Sequence, residues 1–160
     1  MSGRIEVVCI GTLSQGYLRE GCERYRKMAS AYADIRITEL PEARLRQDNP
    51  EGIRRVVEQE GESLERLLKG RQGRTIALCV DAPQCDSMEL ADKFQESFKA
   101  GQSVLLVIGG SHGLSETLLQ KMDERLSLSR LTFPHQLCRL ILLEQTYRAL
   151  SILAGGKYHK

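Results

Sequence analysis

Short apolar runs alternate along this chain with longer amphipathic segments, and this alternation limits the folds open to it. The clearest runs are 74–81 (RTIALCVD) and 103–110 (SVLLVIGG), and looser ones occupy 4–11 and 33–42. A strand that is apolar at successive positions is buried on both faces, which is typical of a parallel sheet covered by helices. We therefore predict a single α/β domain over residues 1–160, with a mainly parallel sheet flanked by helices.

Capping residues and apolar periodicity predict the helices between these runs. Three helices are expected before the fourth strand, over 17–32, 50–70 and 87–101. Ser115 is a candidate N-cap for a further helix over 116–128, and residues 130–133 predict a short fifth strand. A strongly apolar last helix is predicted to begin at Pro134 and to end at the glycine pair 155–156.

Charge and cysteine content narrow the classes of partner and compartment. The formal net charge of +2 neither requires nor excludes a nucleic-acid partner. From residue 120 to 160, however, seven lysines and arginines stand against three acids, a pattern that suits an anionic partner and equally a solvated charged face. Five cysteines without a C-x-x-C pair argue against a metal site. With no secretory signal and no long apolar run, they predict a cytoplasmic protein that does not enter a membrane.

A glycine-rich turn follows the fourth apolar run, in VIGGSHGLSE (107–116). It lacks the lysine and hydroxyl of a P-loop and the glycine spacing of a dinucleotide fingerprint. Glycine permits close backbone approach, and ligands of parallel sheets lie beyond the carboxyl ends of strands. We predict that this turn, the loop around residue 80 and the segment 126–134 hold a ligand with an adenosine but no triphosphate. A tight turn without a ligand is the alternative.

Charged side chains interrupt the apolar last helix in two places. His135 and Arg139 share one face at i, i+4 spacing, and Glu144 and Arg148 share roughly the opposite face. Charges in apolar surroundings are costly unless they are paired or functional, so the second pair is either a structural ion pair or part of a site. The closing KYHK is either a frayed tip or a docked tail.

Taken together, VIGGSHGLSE, LSLSRLTFPHQL, EQTYRA and YHK resemble the RlmH-type ribosomal RNA large-subunit methyltransferases of the SPOUT superfamily. The resemblance covers nearly the whole chain. It implies a C-terminal trefoil knot and a homodimer in which the partner subunit completes each active site. It also implies S-adenosylmethionine-dependent methylation of N3 of a pseudouridine in 23S ribosomal RNA, on the ribosome. The residues that would meet S-adenosylmethionine are Val80, Gly110, Ser129, Arg130, Leu131, Thr132, Phe133 and Pro134.

Methylation of N3 in a uracil-type ring requires the ring to lose a proton, which suggests roles for polar residues near the end of the chain. His135 and His159 are candidates for proton handling because histidine titrates near neutral pH. Arg148 or Arg139 can stabilise charge on a ring carbonyl, and Tyr158 can stack on or hydrogen-bond the base. Water is an alternative base. The rival functions are phosphoryl transfer by a nucleotide-binding protein and a non-catalytic RNA-binding or ribosome-assembly module.

Overall fold

A five-stranded parallel sheet forms the centre of the computed structural model, which describes residues 3–160. The strands are Gly3–Ile10 (β1), Ala33–Leu40 (β2), Arg74–Leu78 (β3), Val104–Ile108 (β4) and Glu124–Leu126 (β5). They lie in the order β2-β1-β4-β3-β5, and all neighbouring pairs are parallel. The predicted α/β class with a mainly parallel sheet is confirmed.

Five helices in residues 3–160 cover the two faces of this sheet. They are Gly16–Ala29 (α1), Pro50–Lys69 (α2), Ser87–Lys99 (α3), Glu116–Leu119 (α4) and His135–Leu153 (α5). One face packs against α1, α3 and α5, and its core includes Val7, Leu106, Phe94 and Leu142. The other face packs against α2 and α4 through a smaller cluster of Val8, Ile10, Leu64, Val107 and Leu118. The sheet is therefore buried on both sides, as its continuous apolar strands require.

The helix starts confirm several capping predictions. Asn49 Oδ1 accepts a hydrogen bond from the Gly52 amide at 2.8 Å, and Pro50 is the first residue of α2. At α3, Asp86 is the cap, and it forms a reciprocal capping box with Glu89. The last helix begins at His135, directly after Pro134, and ends at Leu153.

The structure differs from the sequence prediction between residues 116 and 133. The predicted helix over 116–128 is wrong, because α4 ends at Leu119 and residues 124–126 form β5. The free edge of β3 supplies a partner for this strand, and the Asp123 carboxylate accepts hydrogen bonds from the amide and hydroxyl of Thr75. The predicted strand at 130–133 is also wrong, since this segment is an irregular loop.

No helix within residues 3–160 combines the length and apolar character needed to cross a bilayer. The trefoil knot and the assignment of the whole chain to one domain stay predictions.

Candidate functional site

A cavity of about 760 Å³ opens at the carboxyl ends of β3 and β4. Besides Leu119, its lining comes from three segments, within residues 78–80, 108–114 and 128–138, which overlap the three loops singled out in the sequence. The position is the one where parallel sheets bind ligands, and the volume is within the range of small-molecule sites. The walls are largely aliphatic, with Leu78, Leu114 and Leu128 among them.

The glycine turn after β4 closes tightly on itself. The Gly113 amide donates a hydrogen bond to the Gly110 carbonyl at 3.1 Å, and Gly113 has a φ of +84°, which favours glycine. A Cβ at Gly109 would lie 2.9 Å from the carbonyl carbon of Gly113. Side chains are thus excluded from two sides of the turn, and its backbone forms part of the cavity wall.

Gly110 is constrained from behind by α2. A Cβ at this position would lie 2.9 Å from Glu60 Oε1 and 3.1 Å from Ile10 Cγ2, so a side chain would point away from the cavity. The next residue of α2 makes a similar contact, because a Cβ at Gly61 would lie 2.5 Å from Ser115 Oγ. Glu60 was not among the site residues predicted from the sequence. The sequence does contain a signal for Glu60. This glutamate occupies a position that the apolar periodicity of α2 places on the buried face, and a glycine follows it directly.

The structure brings together most of the residues expected to meet the cofactor. Seven of the eight line the cavity: Val80, Gly110, Ser129, Leu131, Thr132, Phe133 and Pro134. The eighth, Arg130, is exposed and lies outside the lining. His135 follows Pro134 and also lines the cavity.

The other three candidate catalytic residues lie together elsewhere, around Glu144 on α5. Glu144 Oε1 accepts hydrogen bonds from Arg148 Nη2 at 2.6 Å and from the Tyr158 hydroxyl at 3.0 Å. The Arg148 guanidinium lies 4.6 Å from the centre of the Tyr158 ring, and its Nη1 is 3.3 Å from His159 Nδ1. The Glu144–Arg148 ion pair therefore forms, and the tail is docked in this structure.

The contacts of the docked tail favour the protonated form of Tyr158. Burial and the hydrogen bond to Glu144 raise the pKa of Tyr158 to about 12. The hydroxyl is consequently neutral at physiological pH and acts as a hydrogen-bond donor. The ring also packs edge-on against Tyr147, with 4.7 Å between ring centres.

Arg139, the second candidate for charge stabilisation, is engaged in the fold. Its side chain is buried, forms an ion pair with Glu39 at 2.5 Å and donates to the Gly11 carbonyl at 3.0 Å. These contacts tie α5 to the ends of β1 and β2. Residues 3–160 contain no group of three or more histidine, cysteine or carboxylate side chains that could hold a metal ion.

The family model described as "Predicted SPOUT methyltransferase" matches residues 3–159. The chain belongs to the SPOUT methyltransferase family. Among its relatives, the ribosomal RNA large subunit methyltransferase H of Moorella thermoacetica is 41% identical over 158 residues, which cover 98% of both chains. The resemblance to the RlmH-type enzymes is thereby confirmed.

Solved structures show the same SPOUT fold at low sequence identity. A probable methylase family protein from Haemophilus influenzae has a TM-score of 0.62 at 14% identity, covering 98% of this chain and 70% of that one. The SpoU methyltransferase AviRb from Streptomyces viridochromogenes, in complex with AdoMet, has a TM-score of 0.51 at 14% identity, covering 98% and 60%. These likenesses support the arrangement of the SPOUT sheet and helices described above.

Proposed function

We propose that this chain transfers a methyl group from S-adenosylmethionine to N3 of a pseudouridine in 23S ribosomal RNA, on ribosomes in the cytoplasm. The observation that carries the proposal is the full-length, 41% identity to a protein named ribosomal RNA large subunit methyltransferase H. The cavity supports it, because its chemistry suits the cofactor of such an enzyme.

The residues of the cavity fit S-adenosylmethionine, which when bound supplies a methyl group on an electrophilic sulfonium. Leu114 and Leu128 offer apolar surface for a flat ring, and the backbone of the glycine turn offers donors and acceptors for its edge. Within the described chain the lining includes neither lysine nor arginine, so the cavity is built for a ligand without a triphosphate. Val80 and Pro134 border the same space.

The proposed active enzyme is a homodimer in which the tail of one subunit completes the cavity of the other. Arg148, Tyr158 and His159 are assembled around Glu144, away from the cavity of their own subunit. In the partner's site, Arg148 would stabilise negative charge on a ring carbonyl and Tyr158 would donate to or stack on the base. His159 and the cavity residue His135 are the proposed groups for proton handling.

Mass spectrometry of ribosomal RNA nucleosides tests the proposal. Ribosomes that lack the modification are incubated with the full chain and S-adenosylmethionine, and the expected product is a pseudouridine methylated at N3. Calorimetry with S-adenosylmethionine accompanies the assay. Binding of ribosomal RNA without cofactor binding or methylation would contradict the proposal and favour a non-catalytic RNA-binding module.

A further inference from the structure

His135 begins α5 and lines the cavity, but one nitrogen of its ring is buried. Among residues 3–160, this Nε2 atom has no hydrogen-bond partner. A buried polar atom without a partner costs free energy, so its presence beside a binding cavity calls for an explanation. Oε1 of Glu42 lies 3.6 Å from Nε2, which is somewhat longer than a hydrogen bond.

Glu42 reaches this position because a glycine makes room for it. Glu42 follows β2 by two residues, and its side chain passes over Gly11, where a Cβ would lie 3.0 Å from Glu42 Cγ. Gly11 has a φ of +87°, which an L side chain rarely adopts. The end of β1 is therefore shaped to let the Glu42 carboxylate approach the start of α5.

A second carboxylate, from α2, holds the segment that carries Glu42. Glu60 is only 4% exposed, and its Oε2 accepts a hydrogen bond from the Ala43 amide at 3.0 Å. Burial raises the pKa of Glu60, and the neighbouring Glu42 charge adds to this effect. Because Glu60 also lies directly behind Gly110, it connects the glycine turn on one side of the cavity to Glu42 on the other.

We propose that Glu42 is the positioning residue for His135, an inference that rests on the proposed methyl transfer. With Nε2–H directed at the Glu42 carboxylate, the lone pair of Nδ1 is left for the cavity. A carboxylate that fixes the tautomer of a neighbouring histidine is a recurrent device of general-base catalysis. Such contacts are often long without substrate and shorten when it binds.

The step balances without a further reactant. N3 of the ring forms a bond to the methyl carbon and loses its proton to Nδ1 of His135. The electron pair of the broken sulfur–carbon bond stays on sulfur, which becomes a neutral thioether. The positive charge that develops on the His135 ring is then stabilised by the Glu42 carboxylate, and the proton leaves to solvent after the product departs.

The other titratable groups near the His135 ring are not suited to position it. Arg139 is neutralised by Glu39, and burial raises the pKa of Cys138, which keeps it a thiol. On the far side, His112 and Glu60 interact with each other and with the Glu42 segment. Glu42 is thus the carboxylate within reach of Nε2, and its side chain is about half exposed, so protons can exchange with water there.

Kinetics of Glu42→Gln, Glu42→Asp and His135→Ala test the inference in the full chain. We expect Glu42→Gln to slow single-turnover methyl transfer about tenfold or more, with the Kd for S-adenosylmethionine within about twofold of the unaltered value. Glu42→Asp should restore part of the rate. In the His135→Ala background, Glu42→Gln should have no further effect, because it acts through the missing ring. Rate losses that multiply in the double variant would overturn the inference.

A spectroscopic test is independent of activity. The chain contains three histidines, so ¹⁵N-histidine labelling gives a spectrum simple enough to assign. His135 should show the tautomer with hydrogen on Nε2, and Glu42→Gln should convert it to a mixture. Glu51→Gln is the matched control, because Glu51 pairs with the exposed Arg55 on α2. A tautomer unaffected by Glu42→Gln would refute the inference. An inactive unaltered chain would contradict the proposed function, and the spectrum alone would then decide whether Glu42 holds His135.

Discussion

Val80 allows the cavity to be tested without disturbing the core. It lines the cavity, yet it is 48% exposed, so it contributes little to packing of the sheet. Val80→Trp should fill part of the cavity and raise the Kd for S-adenosylmethionine at least about tenfold. The melting temperature should change by less than about 2 °C, because exposed substitutions rarely alter stability much.

Calorimetry and a thermal melt measure the two effects of Val80→Trp. Met88→Trp is the matched control, since Met88 is 49% exposed and lies on α3, outside the cavity lining. Unchanged affinity in Val80→Trp would show that the cofactor binds elsewhere.

Single residues also show where sequence reasoning was reliable. The candidate loops lay together because parallel strands bring their carboxyl ends to one edge, a rule that needs only the order of elements. Arg130, predicted to meet the cofactor, lies outside the cavity lining, and an irregular loop has no side-chain period from which its orientation could be predicted. Gly110 was predicted for its approach to a ligand, but its packing against Glu60 depends on a contact between residues 50 positions apart, which no local pattern contains.

Among the elements, α5 is apolar on more than one side, and its outward face predicts the dimer contact. Leu142 and Leu143 are buried in the core, whereas Leu137 and Ile141 lie one turn apart and remain partly exposed. Ile141→Glu places a charge on this face and should weaken dimerisation at least about tenfold. Sedimentation at micromolar concentration measures the change, and Val57→Glu, partly exposed on α2, is the control. A folded monomer of the unaltered chain would contradict the dimer.

The sequence prediction extended the helix that begins at residue 116 over residues that form β5. Leu118, Leu119 and Met122 have helical spacing, and Ser115 does cap α4, so local signals favoured a longer helix. The chain leaves the helix because β3 has a free edge, where Leu126 pairs with Leu78. Pairing between strands so distant in sequence overrides propensity, and it explains why this fifth strand was predicted to start six residues too late, at residue 130 instead of 124.

At the scale of the whole molecule, complementation between two inactive subunits tests the composite site. One subunit carries Val80→Trp, and the other lacks residues 158–160. At a concentration of S-adenosylmethionine well below the Kd of Val80→Trp, each homodimer should be nearly inactive, for different reasons. In a heterodimer, the truncated subunit keeps an intact cavity and its partner keeps an intact tail, so one of the two sites is complete. Random mixing should restore about a quarter of the parental activity, because about half of the dimers are mixed.

Rates of methyl transfer to ribosomes, measured before and after mixing, give the result. Truncation alone should leave the melting temperature nearly unchanged, since the tail docks on the surface of α5. No recovery on mixing would show that the tail serves its own subunit.

The contact between α2 and the glycine turn has a consequence for how the cavity selects its ligand. Gly61 and Gly110 bring no side chain of their own to this contact, so the glycine turn packs directly against the Glu60 side chain and Ser115 packs directly against α2. A ligand that is too large cannot gain space by pushing the turn backwards. The shape of the cavity is set during folding, and the entropy of ordering its wall is lost before any ligand arrives. This wall of the cavity therefore selects ligands by excluding those that are too large. Any adjustment of the cavity to different ligands has to come from the irregular loop at 128–134.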